Sequence, residues 1–176
     1  MKIYLVAGKA GSGKGEVAKI IKEYYLSNNK KVIITEFSKY LKLYAREVLD
    51  WDGSNPKPRK FLQDLGVTIR DNMEKPLFLI NRMIEDLQIY RLYFDVVVIN
   101  DVRLPIEIEE IKKNFSDVHT MYIINQFGKS PLTLQEQMHP TETALENYPY
   151  FDVTITNDNL NVLDNRVVEF IEKSEK

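Results

Sequence analysis

The segment Gly8-Lys9-Ala10-Gly11-Ser12-Gly13-Lys14 constrains this chain more than any other. It follows the apolar run Ile3–Ala7 and precedes a stretch in which Val17, Ile20, Ile21 and Tyr24 recur at helical spacing. A short buried strand that runs through glycines straight into an amphipathic helix has few physical uses. Glycines let successive backbone N–H groups turn inward as an anion nest. The start of the helix adds a partial positive charge, and Lys14 adds a point charge. The segment matches G-x-x-x-x-G-K, a cradle for the phosphates of a nucleoside triphosphate. The residues expected to hold ATP are Gly8, Gly11, Ser12, Gly13, Lys14, Gly15 and Glu16. Gly15 stands where the pattern has a magnesium-binding hydroxyl. Glu16 either orders a magnesium-bound water or is a favourable acid in the first helical turn.

The remaining numbers narrow the class by exclusion. The 176 residues suit a single domain spanning 1–176 with a full core. The net charge of −2 gives no general attraction to nucleic acid or acidic membranes, so an anion site must be local. There is no cysteine, which excludes disulfides and thiolate chemistry, and two histidines make a histidine-rich metal site an unpromising reading. The opening apolar run is too short for a leader or a membrane span, and a cytoplasmic protein is expected.

Apolar runs alternate with amphipathic stretches, which predicts an α/β domain with a mostly parallel sheet. Strands are expected at Ile3–Ala7, Lys31–Glu36, Asp95–Asn100, Val118–Ile124 and Val153–Thr156. Helices are expected at Lys14–Leu26, Ser38–Leu49, Arg59–Met73, Pro76–Tyr90, from Pro105 to Asn114, and Leu160–Glu172. Leu41, Tyr44, Ala45 and Val48 would form the buried face of the second helix. Residues 38–92 form a helical insertion suited to a second substrate, and polar residues 126–150, with a short helix over Leu132–Met138, form a candidate lid.

Asp101 follows the strand Val96–Ile99 and could hold magnesium through water beside the glycine loop. Arg103 is suited to a bidentate phosphate contact, or to an ordinary surface ion pair. Trp51 either stacks a base or covers the edge of the core. The acidic run Glu107, Glu109 and Glu110 reads as a solvated helix face, and His119 as unremarkable.

Taken in order, these segments resemble the deoxynucleoside monophosphate kinases of the P-loop kinase superfamily, phage-type enzymes included. Gly11-Ser12-Gly13-Lys14 resembles the family's phosphate loop. Phe37-Ser38-Lys39-Tyr40-Leu41-Lys42 resembles its Phe-Ala/Ser-x-x-Leu-Lys segment, and Arg59-Lys60-Phe61-Leu62-Gln63-Asp64-Leu65-Gly66 its Arg-x-x-Leu-Gln-x-Leu-Gly helix. Asp101-Val102-Arg103-Leu104-Pro105-Ile106-Glu107 resembles its Asp-Val-Arg-Phe-Pro-Asn-Glu signature, and His139-Pro140-Thr141-Glu142 its His-x-Ser/Thr-Glu. Ile155-Thr156-Asn157 resembles the segment closing the base site.

The resemblance implies a three-layer P-loop kinase fold with a five-stranded sheet, and transfer of the ATP γ-phosphoryl group to a nucleoside monophosphate with Mg2+. It implies that Lys14, Arg103 and Asp101 are catalytic, with Asp101 on magnesium through water. Ser38, Lys42, Arg59, Gln63 and Arg70 would line the monophosphate subsite, and Asn157 would contact the ATP base. A homodimer would follow from the resemblance alone. Thr141 would cap a short helix, leaving His139 and Glu142 without an assigned role. The chain departs from the pattern at Glu16 and in a lid whose only lysine or arginine is Lys129. Kinases of other small acceptors, such as dephospho-coenzyme A or phosphomevalonate, and a non-catalytic ATP-binding module are the alternatives. A GTPase-like switch ranks last, for want of an Asn-Lys-x-Asp stretch.

Overall fold

In the computed structural model, residues 1–126 and 131–175 are described. Five strands form one sheet in the order β2-β3-β1-β4-β5, all parallel. They are β1 (Lys2–Gly8), β2 (Val32–Thr35), β3 (Val96–Val102), β4 (Val118–Asn125) and β5 (Val153–Asn157). The central β1 is buried along nearly its whole length because both of its faces are covered. Tyr4 and Val6 point into one layer with Val96 and Val98, and Ile3, Leu5 and Ala7 into the other with Val97 and Ile99. This period of two, in runs that are apolar on both sides, is what a sheet between two helical layers requires.

The first layer is made by α1 (Lys14–Ser27) and α8 (Leu160–Ser174), which bury Val17, Ile20 and Ile21, and Leu163, Val167 and Ile171. The second holds α4 (Phe78–Tyr90) and α5 (Pro105–Asn114), with Met83, Leu87, Ile108 and Ile111 fully inside. Each such aliphatic side chain contributes about 1.5–3 kcal/mol relative to its exposed state.

Between β2 and β3 lie α2 (Lys39–Leu49), α3 (Arg59–Val67), a π-helical turn (Thr68–Asn72) and α4. The helix expected to run to Met73 therefore changes its hydrogen bonding at Thr68. Met73 N–H donates to Thr68 O at 2.9 Å, so the wider turn continues the segment. The buried face of α2 is Tyr40, Leu41 and Ala45. Val48 was expected inside but is 66% exposed, because α2 ends one residue later and little packs over its last turn. The expected helix over Leu132–Met138 is shorter, α6 (Leu134–Gln137), and a second short helix follows, α7 (Pro140–Thr143). Among the described residues, no helix is long and apolar enough to cross a membrane.

Candidate active site

The glycine loop joins β1 to α1 at the carboxyl end of the sheet, where open α/β sheets place their ligands. Gly8, Gly11 and Gly13 have φ of +143°, +77° and +98°, a region that favours glycine. A Cβ on Gly8 would meet Ile123 O and Ser12 Oγ, and one on Gly13 would meet the side-chain amide of Asn157. No side chain caps α1, whose N-cap is Gly13, and while Glu16 N–H donates to Gly13 O at 3.0 Å, the N–H groups of Lys14 and Gly15 are available to an anion. The Ser12 hydroxyl is buried without a hydrogen-bond partner. The loop thus has the shape and the unspent donors of a phosphate cradle.

Lys14 Nζ donates to Gly8 O and Lys9 O, each at 2.8 Å. Burial, and next the nearby Arg103 guanidinium, lower its pKa to about 8. Asn157, at the end of β5, donates its side-chain N–H to Ser12 O at 3.1 Å. It therefore braces the loop, and its amide has a further N–H and an oxygen besides. Glu16 pairs with Lys19 at 3.2 Å on the outer side of α1.

β3 extends through Asn100 and Asp101 to Val102, so Asp101 sits within the strand end rather than beyond it. Its Oδ1 accepts from Phe37 N–H at 2.7 Å and its Oδ2 from Ser38 N–H at 2.9 Å. Burial raises its pKa, and these amide bonds oppose the shift. Glu107 is not on a solvated face as expected but is only 7% exposed. Its Oε2 accepts from Arg103 N–H at 2.7 Å and Leu104 N–H at 3.0 Å. Burial, with the Asp101 charge reinforcing it, pushes its pKa up to about 7. The local signal was present: Pro105 at the first helical position and a glutamate two residues on is a helix-start pattern.

One cavity of about 420 Å3 brings most of the expected residues together. Lys14, Asp101 and Arg103 line it at the loop end, and Ser38, Lys42, Arg59, Gln63 and Arg70 line it from the insertion. Lys42 is ion-paired with Glu36, and Arg70 is held by Asp71 at 2.8 and 3.0 Å. Lys57 and Lys75 also line it; no spacing in the sequence marked them. Trp51 lies outside it and donates to Ser54 O. His119 stacks on Tyr4 at 5.3 Å, away from the cavity. Lys129, the expected lid cation, lies outside the described residues.

His139-Pro140-Thr141-Glu142 also belongs here. His139, not Thr141, caps α7, its Nδ1 accepting from Thr141 N–H. Glu142 Oε2 accepts from Ala10 N–H at 2.9 Å, and its Oε1 pairs with Arg103 Nη1 at 2.7 Å. Lys9 is ion-paired with Glu146, so this part of the candidate lid is docked on the phosphate loop.

No protein-family profile matches the chain, and no curated protein sequence matches it. Solved structures do. The APS kinase CysC of Mycobacterium tuberculosis in complex with AMPPNP and APS aligns over 99% of this chain and 98% of that one, with 16% identity and a TM-score of 0.53. Shikimate kinase from Aquifex aeolicus aligns over 99% and 98%, with 14% identity and a TM-score of 0.53. TT1252 from Thermus thermophilus aligns over the same shares, with 16% identity and a TM-score of 0.56. The chain has the P-loop kinase fold. At this identity the likeness establishes the architecture, and function must be argued from the cavity.

Within the P-loop kinase fold, the cradle fits a triphosphate held by the loop amides and Lys14. Magnesium fits less directly. Among the described residues no group of three or more His, Asp or Glu side chains is placed to hold a metal. Asp101 spends one lone pair of each oxygen on an amide and keeps others. It suits contact through water rather than a protein cage.

Proposed function

We propose that the chain is an ATP-dependent nucleoside or deoxynucleoside monophosphate kinase. The observation that carries this reading is the chemistry of the single cavity shared by the phosphate loop and the insertion. Its insertion wall presents Lys42, Arg59 and Arg70, cations suited to an anionic acceptor, with Leu41, Leu62 and Leu79 offering apolar surface for a base or sugar.

The carboxylates favour a phosphate acceptor over a hydroxyl one. A hydroxyl acceptor requires a group to take its proton. Glu107 is occupied by backbone amides, Glu36 by Lys42 and Glu142 by Ala10 N–H and Arg103, and the lone pairs that Asp101 keeps are the ones a magnesium-bound water would take. A phosphate monoester, whose second pKa is about 6, brings its own ionised oxygen. Catalysis then consists of alignment and charge neutralisation. ATP supplies the phosphoryl group. Lys14 and the loop amides orient the triphosphate and neutralise its charge. Arg103 lies between the loop and the acceptor wall, where a guanidinium can face both phosphates.

The test is ADP release from Mg-ATP with a panel of ribo- and deoxynucleoside monophosphates, set against dephospho-coenzyme A, phosphomevalonate, shikimate and APS. Release that depends on a nucleoside monophosphate and is lost in Lys14→Ala supports the reading. Release that depends on a hydroxyl acceptor replaces it with another kinase. ATP binding with no acceptor turned over points to a nucleotide-binding module.

A further inference from the structure

Glu142 joins two parts of the site that are far apart in the chain. One carboxylate oxygen accepts from the Ala10 N–H of the phosphate loop, and the other is ion-paired with Arg103 Nη1 just past the end of β3. Its side chain is 7% exposed, so little water competes for either contact, and an ion pair so shielded is screened far less than one at the surface. The segment carrying it is fixed independently. His139 caps α7, Lys9 pairs with Glu146, and Leu145 is buried in the core beneath the sheet.

Arg103 has five N–H donors. Among the described residues, its side chain donates one hydrogen bond, from Nη1 to Gly8 O at 3.4 Å, and the same Nη1 is ion-paired with Glu142. Among the described residues, Nε and Nη2 donate no hydrogen bond, and Arg103 lines the cavity. A carboxylate that holds one edge of a guanidinium while leaving the other toward the ligand sets its plane and its distance from the loop.

We propose that Glu142 is a positioning residue that locks Arg103 to the phosphate loop, so that the free edge of the guanidinium faces the transferring phosphoryl group. The proposal rests on the kinase reading above. The opposite role, a carboxylate holding Arg103 back, predicts the opposite sign for its removal.

The experiment is a double-mutant cycle of Glu142→Gln and Arg103→Ala, read on kcat, on KM for ATP, and on affinity for a fluorescent non-hydrolysable ATP analogue. Glutamine keeps an oxygen for Ala10 N–H and loses the charge that holds the arginine. Glu142→Gln is expected to lower kcat about tenfold or more with KM for ATP changed less than about threefold. In the Arg103→Ala background the same change is expected to alter kcat by less than about twofold. Losses that multiply, an unchanged kcat, or a faster Glu142→Gln enzyme overturn the proposal. If the wild type binds the analogue and phosphorylates no acceptor, the kinase reading fails, and the cycle is decided on analogue affinity. There, coupled losses sustain the link between Glu142 and Arg103, and multiplying losses refute it. A wild type that does not bind the analogue refutes both.

Discussion

Asp101 and Ser38 are joined across the mouth of the cavity: Asp101 Oδ2 accepts from Ser38 N–H at 2.9 Å, while Oδ1 takes the neighbouring Phe37 N–H at 2.7 Å. One carboxylate thus ties the end of β3 to the two residues that lead into α2, and so ties the phosphate loop's neighbour to the helical wall of the cavity. Asp101→Ala leaves two amides unsatisfied and is expected to cost about 2–3 kcal/mol in denaturant unfolding. Asp101→Asn keeps part of the hydrogen bonding, so it is expected to cost less stability while raising the acceptor KM.

Lys14 titrates near working pH. Its folded pKa is lowered to about 8 by burial and by Arg103, and a bound triphosphate must raise it again by adding negative charge. Affinity for an ATP analogue is therefore expected to fall as pH rises through about 8, with proton uptake on binding in that range. Calorimetry in buffers of different ionisation enthalpy measures that uptake. Lys14→Met is expected to bind weakly, with the pH dependence lost.

Glu107 links pH to folding stability with a definite sign. Its pKa is raised from 4.5 to about 7, so the folded state binds the proton more tightly than the unfolded one. Stability is then expected to fall as pH rises from about 4.5 to about 7. Glu107→Gln, an uncharged acceptor of the same two N–H groups, removes this dependence. Denaturant midpoints across that window are expected to converge at low pH and to favour Glu107→Gln near pH 7.

Gly13 and Gly15 differ although only Lys14 separates them. Gly13 has φ of +98° and its Cβ direction is filled by Asn157, whereas nothing lies within 4 Å of a Cβ on Gly15. Gly13→Ala is expected to lower Tm and abolish analogue binding. Gly15→Ser, which installs a hydroxyl in open space, is expected to change stability by no more than about 0.5 kcal/mol. Titrating magnesium against turnover shows whether that hydroxyl lowers the requirement for the ion.

The sheet was legible because its strands are buried on both faces. Runs such as Val96–Ile99 signal that burial directly. Their far ends were not: Asp101 and Val102 continue β3 past the expected end at Asn100 because the sheet ends there in the site rather than in the core. The phosphate loop was legible because glycine at positive φ and a lysine at fixed spacing are local requirements. Glu107 was misread because its neighbours Glu109 and Glu110 are more exposed, while the N–H groups that bury it lie at the preceding turn. Glu142 left no local trace of its role, since Ala10 lies 132 residues away. Lys57 and Lys75 likewise reach the cavity through the packing of the insertion, which no periodicity encodes.

The most direct test of the central claim is phosphorus NMR of Mg-ATP and a nucleoside monophosphate incubated with the protein, with Lys14→Ala alongside. The account predicts that ATP and monophosphate signals decline together as ADP and the acceptor's diphosphate appear, and that Lys14→Ala leaves the mixture unchanged. Signals that stay constant for every monophosphate, or ATP that yields only inorganic phosphate while the acceptor persists, would contradict it.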